Sequence, residues 1–232
     1  MIFLDATRSS AIISANELVT REGLNLQKGM NFRDKGPLLS VFLVLPPSSG
    51  VYKDEWHEDT QTYVYEGHDS TTVESGKLVD QILMYEGGRL TDNGKFYKAA
   101  NAFKDGVRTE PLQIQVYEKL DAGVWFDKGI FNLIDAKHIA EGGRKVCKFY
   151  LTPADGVRVD IDDNDFRHEQ MIPTSVKVEV WKRDKGACSG CGSSTGLHYG
   201  HTIAPSAGGK SDEGNVQMLC AEHFLQKGPK TQ

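Results

Sequence analysis

WKRDKGACSGCGSSTGLHYGHTIAPSAGGKSDEGNVQMLCAEHFLQK (181–227) decides the architecture of the C-terminal end of this chain. Cys188-x-x-Cys191 is followed, 29 residues on, by Cys220-x-x-His223. Three soft thiolates and one imidazole, in two pairs with two-residue spacers, suit a tetrahedral Zn²⁺ held from two turns. A module of some fifty residues cannot build a large apolar core, so a structural metal stands in for one. Between the pairs, residues 197–220 read as a strand-like entry, a loop at Gly208-Gly209, and an apolar-spaced run after Asn215 that predicts strand, loop, helix.

Outward from that stretch, the chain of 232 residues is long enough for one ordinary domain plus a small accessory one. No apolar run approaches the ~20 residues of a membrane span, which excludes a helical membrane protein. The opening MIFLDATRSS lacks a basic n-region followed by an apolar run, so no secretory signal is expected. The fourth cysteine, Cys147, falls in a predicted strand and reads as a small packing residue, so the cysteines do not form a disulfide framework. The net charge of -5 argues against a nucleic-acid partner for the chain as a whole. It is unevenly spread, however. From Lys177 onward seven Lys/Arg face five Asp/Glu, a balance of +2, while residues 1–176 hold 20 basic and 27 acidic side chains, a balance of -7.

Before about residue 153 the sequence is β-rich. LLSVFLVL (38–45), TQTYVYEG (60–67), PLQIQVYEKL (111–120), GVWFDKGIFNLI (123–134) and RKVCKFYL (144–151) carry β-branched and aromatic residues between turn-forming clusters. NGKFYKAANAFKDG (93–106) predicts a helix, with Phe96, Ala99, Ala100 and Phe103 on one face and Asn93 as its cap or a phosphate contact. VESGKLVDQILMY (73–85) predicts a second. The acidic, turn-rich stretch 152–175 reads as exit and linker. Its DIDDNDFRHE segment lacks the glycine and terminal glutamate of a calcium loop. The expected division is a β-rich domain over 1–155, a linker over 156–175 and the metal-stapled module over 176–232.

The C-terminal stretch resembles the HNH nuclease family at Trp181, Arg183, Asp184, Gly186, Leu197, His201, Gly208, Gly209, Asn215, Gln217, Leu219, His223 and Lys227. That resemblance implies a zinc-stapled ββα-metal finger. It casts His201 as the general base that activates water, Asn215 as the residue that orients the loop, and Mg²⁺ or Mn²⁺ as catalytic cofactor. The family holds that cation through an Asp before the catalytic His and an Asn or His after the last zinc ligand. Here those positions are Gly200 and Phe224, whose side chains cannot ligate a hard cation. Three readings stand: cleavage with a metal held by other groups such as His198 or Asp212, a degenerate nuclease that only binds DNA, or a deliberate change that traps substrate.

The order of segments in 40–151 resembles the SRA domain, a PUA-type, methylcytosine-binding fold. Together the two resemblances imply an α+β chain: a curved β-sheet or barrel with a few helices, followed by the small HNH domain. Reading a modified base requires extruding it, stacking it on aromatic rings and bonding its Watson–Crick edge. The resemblance makes Tyr52 and Tyr65 the stacking pair, with Asp54 or Glu55 accepting from the exocyclic amine. The plainer alternative makes both tyrosines half-buried strand residues. Trp56 and Trp125 read as packing residues, and His57, His68 and His138 as surface or loop residues. Arg33, Lys35, Arg89, Lys95, Lys98 and Arg108 are candidate phosphate contacts, equally compatible with a solvated surface. The implied function is a modification-dependent endonuclease of the bacterial cytoplasm, its partner double-stranded DNA carrying 5-methyl- or 5-hydroxymethylcytosine. Cutting two strands with one site per chain favours a homodimer. The rival is a modified-DNA reader with an inactive nuclease fold.

Overall fold

The structure, a computed structural model, describes residues 12–24, 26, 29–33, 38–46, 52–57, 59–69, 79–154 and 172–227. Among these the fold is α+β and mostly sheet. The elements are β1 (Ile12–Ser14), α1 (Ala15–Glu22), β2 (Met30–Asn31), β3 (Ser40–Val44), β4 (Glu55–His57), β5 (Thr62–Glu66), α2 (Asp92–Lys104), β6 (Leu112–Asp121), β7 (Val124–Glu141), β8 (Arg144–Pro153), α3 (Thr174–Asp184), β9 (Leu197–His201), β10 (Val216–Cys220) and α4 (Ala221–Gln226). No helix among the described residues is long and apolar enough to cross a membrane.

The large sheet runs β2-β3-β6-β7-β8-β5-β4, with β1 added against β7. Its end strands β2 and β4 are not paired to each other, so the described strands form an open sheet and the expected barrel does not close. β7 and β8 are joined by Gly142-Gly143, both at positive φ, the conformation that two-residue hairpin loops demand. A register shift between Leu133 and Asp135 bends the long β7 strand.

Compactness divides the chain into two discontinuous units. One comprises Glu22–Tyr117 and Gly129–Asp155; the other comprises Met1–Arg21, Glu118–Lys128 and Gly156–Gln232. This grouping departs from the linear division of the sequence at residues 1–21 and 118–128.

In the first unit, Phe42, Tyr65, Phe96, Val116, Leu133 and Phe149 anchor the apolar core. Helix α2 packs Phe96, Ala99 and Ala100 into it, as their spacing requires, whereas Phe103 stays half-exposed. The cap is Thr91, whose hydroxyl accepts from the Gly94 N–H at 3.0 Å, and not Asn93, which is buried elsewhere. The helix expected over 73–85 also needs correction. Residues 71–78 lie outside the described residues, while 79–85 are non-helical, with Met84 bridging Leu90. Gln81 explains why: its backbone N–H donates to Lys145, and its buried amide pairs with Gly67 and Cys147. A buried amide so engaged fixes the backbone in an extended path.

In the second unit, Leu120, Phe126, Ile172, Val178, Val180, Tyr199 and Met218 form a separate core. Helix α3 begins at Thr174 and Ile172 is fully buried, so residues at the end of the stretch read as linker belong to this core; residues 155–171 lie outside the described residues. At the centre, Glu118 accepts from Lys128 at 2.8 Å, from Lys177 at 2.7 Å and from the Thr174 hydroxyl at 2.7 Å. Burial alone would raise the Glu118 carboxyl, but the two ammoniums hold it down to about 2. Lys177 also sits 3.6 Å from the centre of the Phe126 ring. Beyond α3, β9 and β10 pair antiparallel, with His201 opposite Val216 and Gly200 opposite Gln217. The run after Asn215 is therefore strand first and helix only from Ala221, giving strand, strand, helix where strand, loop, helix was expected.

Candidate functional site

In the first unit, β5 ends at Glu66, and Gly67, His68 and Asp69 follow it outside regular structure. The Gly67 N–H donates to Cys147 at 2.8 Å. Asn93 holds His68 by both backbone groups, accepting from its N–H at 3.2 Å and donating to its carbonyl at 2.7 Å. Glu66 is anchored by Arg144 at 3.0 Å and Lys148 at 3.1 Å, and Asp69 by Arg144 at 2.6 Å. These buried charges are paired, as burial requires.

On this scaffold the rings stack in series. Phe42 and Tyr65 lie 4.1 Å apart and nearly parallel at 11°. Tyr52 and His68 lie 4.1 Å apart at 9°, and His68 and Tyr65 5.7 Å apart at 17°. The imidazole thus lies flat on the Tyr52 ring and meets Tyr65 at its hydroxyl edge. Its Nε2 lies 2.7 Å from the Tyr65 hydroxyl, which also has the Gly29 carbonyl at 3.1 Å. With the proton on Nε2, the imidazole donates and the hydroxyl proton is left for Gly29. A Cβ on Gly29 would overlap the His68 ring, so glycine is what admits it. Burial lowers the His68 pKa to about 4 and pushes both tyrosine hydroxyls up, Asp69 adding to the effect at Tyr52 and Asp54 at Tyr65.

The structure therefore brings Tyr52, Tyr65 and Asp54 together. Asp54 is oriented by the Glu66 N–H, which donates to its Oδ1 at 2.8 Å. Glu55 is not part of the group: it is exposed on β4 and pairs with His57 at 2.8 Å. Tyr65 is fully buried, with one face taken by Phe42. His68, read as a surface or loop residue, is the one most in need of correction. Its only signal in the sequence is its place directly after the Tyr-x-Gly turn. Asn93 is neither cap nor phosphate contact but the clamp on that turn. Trp56 and Trp125 pack, and Cys147 is fully buried with its thiol pushed up to about 12 by burial.

The candidate phosphate contacts are mostly engaged within the protein. Arg33 bonds Glu22 and the Leu39 carbonyl, Lys95 pairs with Asp92 at 2.7 Å, and Arg89 lies over Tyr85. Arg108 is exposed and donates to the Glu110 carbonyl, and Lys98 is exposed on α2. Lys35 lies outside the described residues.

In the second unit, the ligand atoms of Cys188, Cys191, Cys220 and His223 all lie within 4.8 Å of one another. A tetrahedral zinc with S and N ligands at ordinary distances has S···S edges of about 3.8 Å and S···N edges of about 3.5 Å. The cluster shows Cys191 Sγ to Cys220 Sγ at 3.8 Å, and His223 Nδ1 to Cys188 and Cys220 Sγ at 3.5 and 3.3 Å. The donor set and its spacing fit a soft or borderline divalent metal. Burial raises the Cys188 thiol, but backbone N–H groups of Cys220, Cys191 and Gly190 outweigh it and bring it to about 6, favouring the thiolate that ligates.

His201, at the end of β9, has its Nε2 2.8 Å from the Ser211 hydroxyl. Asn215 clamps the intervening loop: its Oδ1 accepts from the Ile203 N–H at 2.7 Å, and its Nδ2 donates to the carbonyls of Ile203 and Lys210 at 2.9 and 2.8 Å. Gly209 permits this, since a Cβ there would collide with the Ile203 carbonyl and the Asn215 amide. Gly200 and Phe224 are neighbours, and a Cβ on Gly200 would stand 3.6 Å from the Phe224 ring. That ring is buried and stacks on His198 at 4.8 Å. The positions expected to converge on a catalytic cation do converge, but as apolar surface, with Leu219 beside them. This donor set does not fit Mg²⁺ or Mn²⁺. Asp212 instead accepts from the Asn215 N–H at 3.0 Å and belongs to the loop.

No family model matches the chain, and no curated protein sequence matches it. Several solved structures are similar in fold. A SUVH5 SRA domain bound to fully methylated CG DNA superposes with a TM-score of 0.44 at 18% identity, over 67% of this chain and 96% of that one. The modification-dependent TagI restriction endonuclease gives 0.44 at 17% identity, over 94% of this chain and 76% of that one. KRYPTONITE, in complex with mCHG DNA and SAH, gives 0.42 at 15% identity, and this chain spans about a third of its length, 33%.

Proposed function

We propose that this chain binds duplex DNA and reads a modified cytosine extruded into the interval between Tyr52 and Tyr65. The observation that carries the reading is that a planar heteroaromatic ring, the His68 imidazole, already lies flat on Tyr52 with its Nε2 at the Tyr65 hydroxyl. A site that orders one flat, polar ring on one tyrosine and at the hydroxyl of another has the chemistry to order a second such ring. Asp54, turned by the Glu66 N–H, is the acceptor for the exocyclic amine, one of the two residues that the SRA resemblance offers for that role. Zn²⁺ on the three cysteines and His223 supplies the staple of the second unit.

The test is fluorescence anisotropy with short duplexes carrying one 5-methylcytosine, one 5-hydroxymethylcytosine or only cytosine, across a salt series. The reading expects tighter binding to a modified duplex, falling as salt rises, and loss of that preference in Tyr52→Ala. Equal affinities at every salt concentration would overturn it.

A second reading, that the ββα module also cuts, is favoured by one observation. His201 contacts, through Ser211, the loop that Asn215 clamps, and the HNH resemblance gives these two residues the roles of general base and loop-orienting support. Against it stand Gly200 and Phe224. Plasmid carrying modified cytosine, incubated with Mg²⁺, Mn²⁺ and Co²⁺ in turn, separates the readings: nicking that His201→Ala abolishes establishes the nuclease, and intact plasmid under every metal leaves the reader.

A further inference from the structure

We propose that the His68 side chain is a built-in occupant of the base slot, filling it in the DNA-free protein and swinging out before an extruded base can stack there. The inference rests on the base-reading proposal and goes beyond it by naming what the base must displace.

Four observations carry it. The imidazole is parallel to both tyrosine rings, within 9° of Tyr52 and 17° of Tyr65. Its Nε2 completes the hydrogen bonding of the slot at the Tyr65 hydroxyl, which keeps the Gly29 and Leu43 carbonyls at 3.1 and 3.4 Å once the ring has left. The space it fills exists because residue 29 has no Cβ. Finally, Asn93 grips the His68 N–H and carbonyl, so the backbone is fixed and the ring is the movable part. Departure therefore needs a rotation about the side-chain bonds only. Burial also keeps the imidazole neutral, the form that stacks in an apolar slot without stranding a charge.

The energetic consequence is a threshold. Every base that enters must break the ring stack and the Nε2 hydrogen bond. Contact with phosphates alone breaks neither. Binding that uses the slot is thus weakened by a common factor, and binding that does not use it is unaffected.

The experiment compares wild type, His68→Ala and Tyr52→Ala on the 5-methylcytosine and cytosine duplexes, with nuclear magnetic resonance of the wild-type imidazole as an independent readout. His68→Ala is expected to bind the modified duplex about tenfold more tightly, the factor that one hydrogen bond and one ring stack are worth. Its affinity for the unmodified duplex should change less than about twofold. In the free wild-type protein the His68 ring protons should be displaced upfield by the Tyr52 ring, and should lose that displacement when the modified duplex is added. Weaker binding by His68→Ala, or ring protons that keep their shift in the complex, overturns the proposal. If Tyr52→Ala retains the preference for the modified duplex, the base-reading itself fails. If Tyr52→Ala loses it while His68→Ala gains nothing, only the occupant proposal fails. The wild-type spectrum decides the matter even where His68→Ala folds poorly.

Discussion

Glu118→Gln removes one charge from a group whose three partners lie within 2.8 Å and leaves Lys128 and Lys177 facing each other in the core of the second unit. The side chains of Glu118, Lys128 and Lys177 are 0–1% exposed, so water cannot take over the lost interaction. Breaking a buried ion pair by deleting one partner costs about 3–5 kcal/mol. The carboxyl gives an independent figure. It is held at about 2 against an ordinary 4.5, a gap of about 2.5 units, or roughly 3 kcal/mol. Because the folded value is depressed, that stability is complete above pH 4.5 and is lost as pH falls from there toward 2. Urea titrations followed by tryptophan fluorescence at pH 7 should show Glu118→Gln less stable by about 3 kcal/mol. Below pH 4.5 the wild type should lose stability faster than the variant. Glu118→Leu/Lys128→Leu/Lys177→Met, which strands no charge, should recover most of the loss. A penalty under about 1 kcal/mol for Glu118→Gln, or parallel acid profiles, would refute the account of these charges as tightly coupled and dry.

Three further outcomes follow from the sites. Metal analysis should find one zinc per chain, and Cys191→Ser should lower its retention and loosen the β9-β10-α4 segment, read as faster amide exchange there. The His68 imidazole, held down at about 4, titrates with the opposite charge sense to Glu118 but the same direction of effect: the unfolded chain binds its proton first, so stability is complete above about pH 6.5 and falls by about 2–3 kcal/mol toward pH 4. His68→Gln should lack that step in an acid denaturation series. Gly200→Asp/Phe224→Asn, which puts two oxygen donors where the Phe224 ring now lies, should bind Mn²⁺ measurably by calorimetry where the wild type does so more weakly or not at all.

The sequence spoke most clearly where one physical pattern dominated. Enrichment in β-branched and aromatic residues between turn clusters located β3, β5, β6, β7 and β8, and the paired Cys and His spacings located four side chains whose ligand atoms converge. It misled where a single polar contact overrode a pattern. Residues 79–85 carry helix-like apolar spacing, yet the buried Gln81 amide holds them extended. After Asn215, Val216, Met218 and Leu219 read as a helical stripe, but β9 needs a partner and takes them as a strand. The base slot was half legible. Tyr52, Asp54 and Tyr65 have the right types in the right order, while nothing local distinguishes Asp54 from Glu55; pairing puts the latter on the exposed side of β4. Gly29 was silent because its role comes only from His68, far along the chain, and His68 showed no more than its place after Tyr65-Glu66-Gly67, its stack on Tyr52 being non-local. The Glu118 group was silent for a related reason: β6 is buried on consecutive residues from Ile114 to Glu118, so no alternation marks a charge as internal.

The discontinuity of the two units bears on how such a chain can be recombined. The core that surrounds Tyr199 and Met218 includes Leu120 and Phe126, from the hairpin between β6 and β7. A gene fragment starting near residue 156 would leave both behind, together with Glu118, and would separate Lys177 from the carboxylate it pairs with. One crossover in the gene therefore cannot transplant this module into another protein. Exchange must move three segments at once, or the recipient must already possess a hairpin that offers a carboxylate and two apolar side chains at matching positions.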